Sequence, residues 1–187
     1  AVSGVLPDEP VFASIDAMAT HYLQAVRSVQ PQGPYRLAGW SAGGMLALEM
    51  ARQLLAAGQQ VGWLGLLDTA VTQDEAHHLD QRAGVAASVP GAAASAASIL
   101  LKRMQRAAIL HQQPNPAQLQ LLQALAAQDD LPAMHRACIE AGILPPEFDC
   151  AQLARNLLVT DGIEQAVLAY RVPDWPLKLH LYVAQGE

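Results

Sequence analysis

The chain has 187 residues, enough for one domain with a substantial core. Hydrophobic residues make up 52% and charged residues 15%, which excludes a disordered chain. The net charge of −6, with Lys and Arg gathered nowhere beyond Lys102, Arg103 and Arg106, excludes a nucleic-acid footprint.

Ala1 to Pro10 shows neither a basic start nor a long apolar run, so no signal peptide is expected. Ser14 is placed to cap a helix whose apolar positions Ile15, Met18, Ala19, Tyr22 and Val26 recur at three- and four-residue steps. Pro31 to Pro34 ends it, and Tyr35 to Ala38 reads as a short strand. After Gly39-Trp40-Ser41-Ala42-Gly43-Gly44, the run Met45 to Ala57 is an Ala- and Leu-rich helix. Gly58 suits the left-handed position beyond its end. Val61 to Leu67 is nearly all apolar, the pattern of a parallel strand covered on both faces.

From Val71 the texture changes. An Ala/Ser/Gly tract and a Pro114-Asn115-Pro116 breaker precede two expected helices, Ala117 to Ala127 and Leu131 to Ala141. The uncharged stretch Ala83 to Leu101 is too weakly apolar, and too broken by Pro90-Gly91, to span a membrane. Ala151 to Tyr170 reads as helix weakened by Gly162, and Leu177 to Ala184 as a third strand. The expectation is an α/β domain with a mostly parallel sheet flanked by helices. Its core would be residues 1–70 and 161–187, interrupted by a helical insertion over 71–160. Cys138 and Cys150 fit no metal motif, and two reduced, buried thiols in a cytoplasmic protein are the expectation.

Gly39-Trp40-Ser41-Ala42-Gly43 fits Gly-x-Ser-x-Gly, and its setting after a strand and before a helix is the one that pattern requires. The serine sits in a strained turn that projects its hydroxyl from the sheet edge, and Gly39 and Gly43 are expected to clear the space around it. The helix that follows aims its amino end, with the Ala42 N–H first, at the oxyanion formed when Ser41 attacks a carbonyl. A phosphate loop is the weaker reading, since no Lys follows the glycines.

Such a serine needs a base and an orienting carboxylate. Asp68 ends the next strand, and neighbouring parallel strands lie about 4.8 Å apart with their carboxyl ends on one edge. Asp68 is therefore the first choice of acid. Glu187, one strand later, is its rival, and a turn cap made through Thr69 is the plainer role for Asp68. None of His21, His77, His78, His111, His135 and His180 follows a late strand, where the order Ser, acid, His would put the base. The simplest expectation is a base beyond Glu187.

Gly33-Pro34-Tyr35-Arg36-Leu37-Ala38-Gly39-Trp40-Ser41-Ala42-Gly43-Gly44, with Glu49-Met50-Ala51, resembles the thioesterase domains that end non-ribosomal peptide synthetases and modular polyketide synthases. Leu64 to Thr69 is similar to that family's strand ending in its aspartate. Ala169-Tyr170-Arg171 with Leu177 to Ala184 is similar to its last helix and penultimate strand. The resemblance implies an α/β-hydrolase fold, with Ser41 as nucleophile, Asp68 as triad acid and the Ala42 amide in the oxyanion hole. It also implies a lid over residues 71–160, and a chain shortened at both ends relative to the family. No bound cofactor or metal is implied. The substrate would be an acyl or peptidyl thioester on the phosphopantetheine of an upstream carrier domain, released by hydrolysis or cyclisation, with no nucleic-acid or membrane partner. An editing thioesterase is an alternative that Trp40 disfavours, because such enzymes more often carry His before the serine. A stand-alone esterase and a catalytically idle interaction module are the others.

Overall fold

The computed structural model describes residues 11–69, 94–111, 114–172 and 178–183. The chain divides into two compact units. One comprises 12–76 and 163–187; the other comprises 1–11 and 77–162.

The first unit opens with α1 (Ile15–Val29), whose Ser14 hydroxyl accepts the Ala17 N–H, satisfying one of the amides a helix start leaves unpaired. Next come β1 (Tyr35–Trp40), α2 (Ala42–Ala56) and β2 (Val61–Leu67). Gly58, at φ +70°, takes the left-handed position that ends α2. β1 and β2 pair in parallel, with Trp40 opposite Leu67, and β3 (His180–Tyr182) adds in parallel to the other side of β2. The sheet order is thus β1-β2-β3.

Alternation along the strands decides which residues form the core. Leu64 and Leu66 pack fully buried with Ala47, Leu48 and Ala51 of α2. Ala19 and Leu23 of α1 join Tyr35, Met50 and Leu54 in a second cluster. The opposite row, Trp40, Leu67 and Tyr182 in register, is solvent-exposed. Coverage of β2 on both faces, expected from its apolar composition, is therefore limited to Leu64–Leu66. Trp63 folds its ring over Gly65, where any side chain would collide with it.

The second unit is helical, with α3 (Ala96–His111), α4 (Pro116–Ala126), α5 (Leu131–Glu140) and the start of α6 (Cys150–Ala169). Helix α3 lies inside the expected helical insertion, although its limits are not marked in the sequence. It forms because Ala97, Ile99 and Leu100 bury against Leu122, Met134, Cys138, Leu153 and Leu157, and tertiary packing outweighs the weak local pattern. The Pro-Asn-Pro breaker is a helix start. The Asn115 side chain accepts the Gln118 N–H while the Gln118 side chain accepts the Asn115 N–H, with Pro116 at the first helical position. Helix α6 continues through Gly162, the residue at which the two units divide.

The third strand is shorter than Leu177–Ala184 among the described residues, spanning His180–Tyr182. Both cysteines are free. Cys138 is buried, and burial pushes its thiol up from its ordinary range, whereas Cys150 is half-buried, not buried as expected. No helix among the described residues is long and apolar enough to cross a membrane.

Candidate active site

One residue separates β1 from α2, and it is Ser41. Its φ of 52° and ψ of −126° lie on the left-handed side, where a side chain strains the backbone by about 1–3 kcal/mol. Hydrogen bonds hold the turn on both sides. The Ser41 N–H donates to the Leu67 carbonyl at 2.9 Å, and the Ser41 carbonyl accepts the Gly44 N–H at 2.9 Å. Ser41 is exposed.

The glycines around it divide their work differently from the expectation. A Cβ on Gly39 would collide with the Gly43 carbonyl, so Gly39 is required. A Cβ on Gly43 would meet nothing within 4 Å. The second indispensable glycine is Gly44, where a Cβ would lie 2.8 Å from Cβ and Cγ2 of Thr69 and closer still to its hydroxyl. The helix comes close to the end of β2 at Gly44, one residue later than the pattern suggests.

Asp68 follows β2 as Ser41 follows β1. With Trp40 opposite Leu67, the two residues leave neighbouring parallel strands at the same edge, where strand spacing is about 4.8 Å. Asp68 is exposed and has φ 47°, a second left-handed residue, and its N–H donates to the Tyr182 carbonyl at 2.7 Å. Thr69 turns inward and is buried, its hydroxyl 3.1 Å from the Leu67 carbonyl and 3.2 Å from that of Ser41. Ala42 opens α2, and no acidic side chain of the helix's own first turn offsets the positive end of the dipole that faces the serine. Glu187 lies outside the described residues, as do His77 and His78.

The placed histidine rings have other neighbours. His21 packs against Phe12 and Tyr22. His135 Nε2 is 2.6 Å from the Phe148 carbonyl. His180 is exposed and stacks on Trp63 with ring centres 5.8 Å apart. Among the described residues no three His, Cys, Asp or Glu side chains gather to hold a metal ion.

Eight residues after the serine, Glu49 is buried on α2. Its carboxylate accepts Nε and Nη2 of Arg52 at 2.7 and 2.5 Å, Nε2 of Gln53 at 2.9 Å and the Tyr170 hydroxyl at 2.7 Å. Arg52 Nη2 also reaches Asp16 of α1 at 3.2 Å. Burial alone would raise the Glu49 carboxyl. The hydrogen bonds from Arg52, Tyr170 and Gln53 outweigh it and hold the group below its ordinary 4.5. Burial and the Glu49 carboxylate together push the Tyr170 phenol up. A charged residue inside an otherwise apolar helix face, with Arg three positions on, was the available signal for this cluster. Nothing in the sequence announces Tyr170 as its partner.

A family model described as a Thioesterase domain matches residues 4–161. Atromentin synthetase of Tapinella panuoides is 39% identical over 83 residues, 44% of this chain and 9% of that protein. The non-reducing polyketide synthase ntnG of a Nectria species is 53% identical over 60 residues, 32% of this chain and 3% of that protein. This chain spans between 2% and 9% of the length of the curated relatives it matches. A four-domain nonribosomal peptide synthetase, holo-AB3403 bound to AMP and glycine, superposes with a TM-score of 0.71 at 23% identity. That match covers 98% of this chain and 13% of the other, and establishes the fold. A parallel sheet flanked by helices, a lone serine between strand and helix, and a family match over most of the chain agree: this chain has the α/β-hydrolase fold and belongs to the Thioesterase domain family.

Proposed function

We propose that the chain releases an acyl or peptidyl group from the phosphopantetheine thioester of an upstream carrier domain in natural-product biosynthesis, through an acyl-enzyme on Ser41. The observation that carries this reading is the exposed Ser41 in a left-handed turn, one strand away from Asp68. Its setting at the start of α2 supports the Ala42 amide as oxyanion donor.

In the first stage the Ser41 oxygen attacks the thioester carbonyl and gives its proton to a general base. The negative oxygen of the tetrahedral intermediate is stabilised by the Ala42 N–H. The C–S bond then breaks and the pantetheine thiol leaves with the proton, so the serine carries an ester. In the second stage water, or an amine or hydroxyl of the chain itself, attacks that ester and restores Ser41, giving a free acid or a ring. Asp68 supplies the carboxylate that orients the base and stabilises its charge. The chemistry needs no bound cofactor, because the pantetheine arm belongs to the substrate. On the family resemblance residues 71–160 take the role of lid, and the small, weakly polar composition of Val85 to Leu101 suits a greasy acyl group.

The test is intact-mass and peptide mass spectrometry after incubation of the full domain with an acyl thioester analogue. An adduct on Ser41 that Ser41→Ala abolishes is the expected result. An adduct of equal yield in Ser41→Ala sinks the reading. Faster turnover of simple oxygen esters than of carrier-bound thioesters would favour a stand-alone esterase.

A further inference from the structure

Thr69 touches the nucleophile turn from the far side, and nothing in the two-stage chemistry above uses it. Its side chain is buried in the notch that Gly44 leaves by having no Cβ. Its hydroxyl proton is shared between the carbonyls of Ser41, 3.2 Å away, and Leu67, 3.1 Å away. The Leu67 carbonyl is the one that accepts the Ser41 N–H. A single hydroxyl thus holds the Ser41 carbonyl directly and also the Leu67 carbonyl that accepts the Ser41 N–H, from a residue adjacent to Asp68.

Planarity makes this consequential. The Ser41–Ala42 peptide is a rigid trans unit, so its carbonyl oxygen and its N–H point in opposite directions. Fixing the direction of the Ser41 carbonyl fixes the direction of the Ala42 N–H. Gly44 N–H restrains that carbonyl from the helix side, and Thr69 restrains it from the strand side. Two anchors define the tilt of the plane where one would leave it free to rock. With Ser41 at φ 52° and Asp68 at φ 47°, the turns on either side of the brace are both strained, and local strain persists only where surrounding contacts over-determine it.

We propose that Thr69 is a positioning residue of the oxyanion hole, aiming the Ala42 amide by holding the Ser41 carbonyl. This rests on Ser41 as nucleophile and Ala42 as oxyanion donor. Thr69 touches no reacting atom, so its effect falls on the acylation step and leaves ground-state binding alone.

Thr69→Val and Thr69→Ser separate the hydroxyl from the methyl. Neither carbonyl loses its last partner in Thr69→Val, since Gly44 N–H and Ser41 N–H remain, so this variant is expected to fold, with its melting curve as the check. Acylation of Ser41 by an acyl-N-acetylcysteamine thioester is followed by intact mass over a range of concentrations. Losing an oxyanion donor outright costs about 10²–10³ in rate, and mis-aiming one should cost less, about tenfold in kcat for Thr69→Val with KM unchanged. Thr69→Ser should stay within about twofold of the parent on the same reasoning. A Thr69→Val that acylates at the parent rate, or a Thr69→Ser that falls as far as Thr69→Val, overturns the proposal. Should Thr69→Val not fold, Thr69→Cys, a weaker donor, takes its place. Its rate should be intermediate, and a rate equal to the parent's overturns the idea. Failure of the unmutated full domain, with its general base, to acylate at Ser41 would remove the nucleophile reading itself, and this proposal with it, and is recognisable because it needs no variant.

Discussion

The phenol of Tyr170 donates a hydrogen bond to the buried carboxylate of Glu49 across 121 positions of sequence. That contact fastens the segment just after α6 to the helix that begins at Ser41. It is part of a cluster in which Arg52 and Gln53 complete the shell of Glu49, and Asp16 draws α1 in through Arg52.

Tyr170→Phe should lower unfolding stability by about 2 kcal/mol, the scale of a hydrogen bond to a charged group. The pH dependence follows from Glu49. Its folded carboxyl titrates below the ordinary 4.5, so its stabilisation is complete above that range and is lost as pH falls through the folded value. Removing the Tyr170 bond leaves burial less opposed, so the folded carboxyl moves up and acid unfolding should begin at a higher pH. Chemical denaturation followed by circular dichroism from pH 7 down to about pH 3 reads both effects, bracketing the usual carboxylate range. An unshifted acid limb in Tyr170→Phe would contradict the account.

Gly39→Ala and Gly44→Ala should each disrupt the domain or its activity, whereas Gly43→Ala should fold and retain activity near the parent level. Backbone blocks the first, the buried Thr69 the second, and open space surrounds the third. Alanine at Gly43 should even favour the helix by up to about 1 kcal/mol. Expression, melting temperature and acylation rate of the three variants decide this. A damaged Gly43→Ala beside a healthy Gly44→Ala would reverse the assignment.

Ser41→Gly should be more stable than the parent by about 1 kcal/mol, because glycine adopts the positive φ of this position without strain. Ser41→Ala keeps a Cβ and should show no such gain. Both should be inactive. Parallel denaturant titrations test the difference, and a glycine variant less stable than the alanine one would mean that the turn stores no strain.

Asp68→Asn should slow turnover by about 10³–10⁴, the cost of losing the carboxylate that orients a triad base. Glu187→Gln should change turnover by less than about threefold, as is usual for a residue that takes no part in the chemistry. Steady-state kinetics on an acyl thioester separates the two carboxylates, and the opposite ranking would give the acid's role to Glu187.

Much of this architecture is written in short-range signals. Ser14 and Gly58 mark helix ends because the chemistry of a cap depends on a few neighbouring atoms, and the structure places both at those ends. The strand-serine-helix turn was legible for the same reason, as was the run Val61–Leu67, whose limits in the structure are the same. What depended on distant partners was not legible. Helix α3 owes its burial to residues 22 to 60 positions away, and Pro114-Asn115-Pro116 read as an interruption because its capping bonds are revealed only once α4 is in place. The glycine that matters after Ser41 is set by Thr69, which enters from the next strand, so a motif read along one segment chose Gly43 over Gly44. Likewise a glutamate in the middle of a helix face is ambiguous until a tyrosine from the other end of the chain satisfies it. Sequence alone specified the local bends and the periodic faces, because those energies are summed over adjacent residues. Tertiary structure decided which buried polar groups found partners, because desolvation and close packing depend on atoms that only folding brings together.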